Sequence, residues 1–232
     1  MEKLNDLRDL LKHELQDLYS VEEQIIAALP RMIEKASNKE LKNALTEHLR
    51  ITEQQKARLE SLQQQMDAGQ SQEAPGLLGR LFKSRMVCEG MQGIIKESNK
   101  ILNENMNPDV MDAAIIACAQ KVEHYEICGY GTAKAYAEEL NLTEVARVLD
   151  QTLNEEYDAD DRLTVLATTR LNRQAESGNK GGAAKGRGAG SSATGGSRSG
   201  AAVRQEQPEM ELEMASASRG SAGRGRGLRC RA

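Results

Sequence analysis

The stretch AAIIACAQKVEHYEICGYG, residues 113–131, decides the fold. Ala119, Val122, Glu126 and Tyr130 recur at three- and four-residue spacing, which puts them on one face of a helix, and Glu123 lies seven after Ile116 at the edge of the same face. A helix of mostly apolar residues is built for a core. Acids on a solvated face are ordinary, but acids on the core-facing stripe need a physical reason.

Reading outward, the same periodicity recurs four more times. A first segment, about residues 2–36, carries Leu4, Leu7, Leu11, Leu18, Ile25, Leu29 and Met32 at helical spacing, and Pro30 is expected to kink or interrupt it. A second opens at SNKELKNAL, where Ser37 or Asn38 can cap and Glu40 can reach back, and its stripe runs Leu41, Leu45, His48, Thr52, Gln55, Leu59 and Leu62. After the Gly/Pro-punctuated DAGQSQEAPG, a shorter third helix is expected over about 80–104. The fourth follows Asn107-Pro108-Asp109, with proline at the first helical position, and the fifth begins at NLTEVARVL with Thr143 as candidate cap and runs to about 172. Short connections make the first and second segments, and the fourth and fifth, antiparallel pairs. One long crossover joins them, so the expected fold is all-α, a ferritin-like four-helix bundle with an extra helix in the crossover.

Composition divides the 232 residues at about 172. Residues 1–172 carry a formal charge of −10 and residues 173–232 one of +6. The second part holds 13 of the 20 glycines and almost no large apolar residue, so it is expected to be a disordered Gly/Ser/Ala/Arg-rich tail beside a helical domain. Its Arg-Gly spacing can attract nucleic acid by charge, but it has no aromatic residue for base stacking, and EQPEMELEM dilutes the charge. No apolar run of 18 residues exists and the first residues are acidic, so a soluble, cytoplasmic protein is expected, with no membrane partner. Cys88, Cys118, Cys128 and Cys230 show no C-x-x-C spacing; three lie in apolar helical surroundings and are read as buried thiols. There is no phosphate loop, nucleophile elbow or Cys/His dyad with local support.

Each of the four long helices places polar residues on its inner stripe near mid-length. Glu14 and Glu22 fall among Leu11, Leu18 and Ile25; His48 lies on the second stripe; Glu123 and Glu126 on the fourth; Glu156, seven from Leu149 and from Leu163, on the fifth, with Asp160 four further on. Glu23, His124 and Glu155 point away from the stripes. Uncompensated carboxylates in a low-dielectric core repel and cost several kcal/mol each, roughly. A cation removes that objection, and oxygen and imidazole ligands from facing helices suit iron or manganese. The competing reading is a non-catalytic bundle whose inner acids are hydrogen-bonded remnants of a degenerate site.

The segments LYSVEEQIIAALPRM, HLRITEQQKARLE, DAAIIACAQKVEHYEICGYGTAKAYAEEL and LDQTLNEEYDADDRLTVLA closely resemble the bacterial YciE/YciF stress proteins of the ferritin-like superfamily, over residues 1 to about 168. The resemblance implies a dimeric, cytoplasmic, stress-linked bundle; superfamily relatives bind two metals, di-iron or di-manganese, and include iron oxidases and peroxide-consuming enzymes, although no reaction is established for this family. Glu22, His48, Glu123, Glu126, Glu156 and Asp160 match its positions. Relatives often have Glu where this chain has Ile51 and Gln92, which removes a carboxylate beside His48. Two Glu-x-x-His motifs are the usual di-metal pattern, and this chain offers only His48 on a core stripe; Glu14 is the candidate to compensate.

Overall fold

The computed structural model describes residues 4–68 and 86–177. Five helices form the body: α1 Leu7–Lys35, α2 Lys39–Ala68, α3 Glu89–Ile101, α4 Pro108–Glu139 and α5 Thr143–Leu166; a π-helical turn, Ala167–Leu171, leads into the short α6, Asn172–Ser177. No strand occurs among the described residues, and none of their helices is long and apolar enough to cross a membrane.

Helix ends follow local chemistry. Asp6 caps α1 by accepting from the Asp9 amide, and Asn38 caps α2 through the amides of Glu40 and Leu41. Asn107 caps α4 with Pro108 in its first turn. Pro30 does not interrupt α1, because it sits on the exposed side, where the carbonyl it cannot reach faces water. Thr143 does not cap α5: that position belongs to Leu142, which makes no side-chain cap bond. The turn is made instead by Asn141, with φ at +57°, which sends the Leu142 amide back to the Ala137 carbonyl. The crossover helix begins at Glu89; residues 80–85 of its expected span lie outside the described residues. Helix continues to Ser177, five residues into the part expected to be tail, and the rest of that tail lies outside the described residues.

Neighbouring helices run antiparallel. Gln63 reaches the Leu15 carbonyl, Lys134 meets Asp150, Tyr125 meets Asp17, and Arg58 meets Glu155. The diagonal pairs are therefore parallel, so the chain leaving α2 must travel back along the bundle before α4 can begin. A 30-residue helix is about 45 Å long, which explains the length of the crossover. Within it α3 lies across α1 and α4, tied by Gln24 to the Cys88 carbonyl (3.0 Å), Arg31 to Asn99 (2.8 Å) and Lys121 to Glu97 (2.6 Å).

The core has two apolar halves. One gathers Leu11, Leu15, Leu18, Leu59, Tyr130 and Leu149; the other Val21, Ile25, Leu41, Leu45, Ile115 and Leu163. Between them, by position along the helices, runs a buried polar layer of Glu22, His48, Thr52, Gln55, Glu123, Glu126, Thr152 and Glu156. At the far end the π turn keeps Leu163, Ala167 and Leu171 all buried in one apolar cluster, although a regular helix would swing Leu171 off that line. Cys88 and Cys118 are buried thiols as expected, whereas Cys128 is exposed, five residues from Glu123 and so on the far side of α4.

Candidate metal centre

The polar layer concentrates on four side chains. His48 from α2, Glu123 and Glu126 from α4 and Glu156 from α5 are all buried, and each offers one donor atom within 4.8 Å of the others. Three-residue spacing puts both α4 carboxyls on one face, and the diagonal pairing of α2 with α4 brings His48 Nε2 to 3.4 Å from Glu123 Oε1. Glu126 has no hydrogen-bond partner for either oxygen, and His48 Nε2 and the second oxygens of Glu22, Glu123 and Glu156 are likewise unpartnered. Orphaned buried polar atoms are rare, and here they gather around one point.

Burial sets the titration. It holds His48 down to about 4, the neutral imidazole that ligates. It pushes Glu22, Glu123 and Glu126 well above the usual carboxyl range, with the repulsion of Glu156 adding to each. Glu156 is raised to about 7, again by burial, moderated by hydrogen bonds from Glu123 and Gln55. Without a cation, these carboxyls keep protons.

The remaining candidates lie elsewhere. Glu22 is fully buried beside the four, close enough to perturb Glu126, and accepts a hydrogen bond from Tyr130. Asp160 lies on the outside of the α4–α5 pair, bonded to Gln120 (3.0 Å) and 3.4 Å from exposed His124. Glu14 is half-buried two turns before Glu22, in the region where α1 meets Gly129. Neither joins the cluster of four. Ile51 is half-buried one turn from His48 and supplies no donor.

Three participants escaped the ligand reading. Gln55 donates to Glu156 and, at 3.2 Å, to Glu155; its signal was present, seven residues after His48 on the same stripe. Tyr130 lies four after Glu126 and reads as a plain apolar marker until its hydroxyl is placed on Glu22. Glu155, with no role by periodicity, is gripped by both Arg58 nitrogens at 2.8 Å, and Arg58 also reaches Thr152.

Comparison with known proteins agrees with this architecture. The family model described as "Domain of unknown function (DUF892)" matches residues 6–176. Protein YciF of Escherichia coli (strain K12) is 37% identical over 174 residues, 75% of this chain and 98% of that protein. Among solved structures, the E. coli stress protein YciF superposes with a TM-score of 0.63 at 36% identity, covering 73% of this chain and 99% of that one. YcfI from Rhodopseudomonas palustris gives 0.62 at 40% identity, covering 70% and 96%. With the stripes, the crossover and the match all spanning the same residues, the chain belongs to the DUF892 family, with YciF among its relatives.

Proposed function

We propose that this protein binds iron or manganese in the core of its bundle, with His48, Glu123, Glu126 and Glu156 holding one ion and Glu22 the carboxylate beside it. The observation that carries the reading is the convergence of four buried donor atoms within 4.8 Å, most of them without a hydrogen-bond partner. Ligand bonds of about 2.0–2.2 Å set opposite donors about 4 Å apart, so a slight contraction suffices. Three carboxyls and one imidazole are a harder donor set than the thiolate-rich sites of structural zinc, which favours iron or manganese. A bound redox-active ion would supply one-electron chemistry in a site closed to bulk water. The chain's own residues fix it: Gln55 orients Glu156, Arg58 holds Glu155 away from the centre, and Tyr130 holds Glu22.

Binding releases the protons that the carboxyls keep, and stabilises the fold by mass action, about 2.7 kcal/mol at a hundredfold excess over Kd. The test compares Glu126→Gln and Glu156→Gln with the parent, all purified from iron-supplemented cells, measuring bound metal and thermal stability with and without chelator. The parent should lose metal and stability on chelation, while the variants hold little metal and respond little. A parent that carries no metal and ignores chelator overturns the reading.

One observation favours a second reading, a non-catalytic stress-associated bundle. Glu123 hydrogen-bonds Glu156, and Gln55 satisfies one Glu156 oxygen, so part of the layer is already paired while protonated. In that case the Gln variants match or exceed the parent's stability, since they remove only unneeded charge.

A further inference from the structure

Against the metal centre lies a cavity of about 30 Å³, in the measure by which one water needs about 10–15 Å³. It therefore has room for two bonded atoms of that size. Its walls are Ile25 and Leu29 of α1 and Ala119 and Val122 of α4, and its inner end is His48 and Glu123. On the far side it is roofed by the crossover helix through Ile95, Ser98 and Asn99. The half-buried residues of the lining, Ala28, Ile95 and Asn99, mark the way to solvent, where Arg31 ties Asn99 down at 2.8 Å.

The lining decides what can occupy it. Ser98 spends its hydroxyl on the Ile94 carbonyl, and Asn99 its carbonyl oxygen on Arg31, so free polar atoms remain only at the His48–Glu123 end. A water in the middle of the cavity cannot find the two to four partners it needs, and hydrogen peroxide, with more groups to satisfy, fits worse. An uncharged molecule that makes no hydrogen bonds loses nothing there and leaves no polar wall unsatisfied.

We propose that this cavity is the holding chamber through which an apolar diatomic gas, dioxygen in its chemistry, reaches the His48–Glu123 side of the metal centre from beneath the crossover helix. The chamber stands on geometry alone; its role as a route to an ion rests on the reading above. The roof explains a second feature, namely why the crossover carries a helix pinned to α1 and α4 at this level rather than a bare connection.

The experiment has two arms. Xenon, a probe of apolar cavities, is followed in the metal-free full chain by crystallography under pressure and by ¹²⁹Xe NMR. Nitric oxide uptake by the iron-loaded chain is followed by stopped-flow absorbance and electron paramagnetic resonance. Ala119→Val fills the chamber from within and Ala28→Phe obstructs its mouth. Gly93→Ala, where an added methyl group meets nothing within 4 Å on the same crossover helix, is the control. Xenon should sit beside Ala119 in the parent and the control and be lost in Ala119→Val. Both test variants should keep the parent's iron content while nitric oxide uptake slows roughly tenfold, as expected for a close-packed path blocked by one side chain. Absence of xenon from the parent overturns the chamber, and unchanged uptake in both variants overturns the route. Xenon bound in a chain that takes up no iron overturns the metal reading and the route, leaving the chamber standing.

Discussion

Tyr130, fully buried, donates its hydroxyl hydrogen bond to Oε1 of Glu22, equally buried, so that α4 satisfies an acid that α1 carries into the core. Glu22 Oε2 has no partner. Tyr130→Phe therefore leaves the whole carboxyl unpaired and should cost about 1–3 kcal/mol, seen as a lower Tm of the metal-free protein. Bound iron should match the parent, because the cluster of four is untouched. An unchanged Tm would show that the bond contributes nothing to stability.

The metal-free protein should lose stability as pH rises. Glu22, Glu123 and Glu126 titrate in the fold well above their ordinary 4.5, and Glu156 at about 7, so above pH 4.5 the unfolded chain binds fewer protons than the folded one. Stability from these groups is full below 4.5 and falls through the raised values. His48 opposes this, since its folded value of about 4 lies below the ordinary 6.5 and adds stability across that interval. Four carboxyls outweigh one imidazole. Denaturant midpoints measured from about pH 5 to about pH 8 should fall in the chelated parent and fall less in Glu126→Gln; a rising midpoint would contradict the buried-acid account.

Asp112 is a structural clamp. Almost wholly buried, it accepts from the Ser37 amide (2.7 Å), the Ser37 hydroxyl (2.6 Å) and the Asn38 amide (2.9 Å), locking the α1–α2 turn to the start of α4. Asp112→Ala strands three donors and should cost about 3 kcal/mol, with Asp112→Asn losing less because it keeps an acceptor. Chemical denaturation of the two variants checks the order.

Two glycines of one heptad should answer alanine oppositely. A methyl group on Gly129 would stand 2.7 Å from Leu18 Cδ2 in the packed α1–α4 interface, whereas one on Gly131 meets nothing within 4 Å. Gly131→Ala should raise stability by up to about 1 kcal/mol through helix propensity. Gly129→Ala should lower it by about 1–3 kcal/mol net of the same gain. Thermal melts of the pair decide, and a shared rise would mean that Leu18 yields freely.

The stripes were legible because helical periodicity is local: Leu41, Leu45, His48, Thr52, Gln55, Leu59 and Leu62 are all buried as their spacing requires. The same arithmetic brought Glu123, Glu126 and Glu156 to the interior, and with them an acid-rich layer. It could not separate Asp160 from Glu156, since four residues along a helix share a face yet one turn carries the side chain from the core to Gln120 and His124 at the rim. Nor could it find Asp112, whose partners come from a turn 75 residues away, or pair Glu155 with Arg58 across two helices. Which donor a long polar side chain meets is settled by packing between helices, and periodicity describes each helix alone.

The π turn at Ala167–Leu171 makes the end of the bundle sensitive to count rather than to chemistry. Removing a single residue there would restore a regular helix and every backbone bond, yet it would rotate all that follows by about 100° and carry Leu171 away from Leu163 and Ala167. The extra residue acts as a phase correction, keeping the last turns of the helical body in register with a stripe that began at Val145.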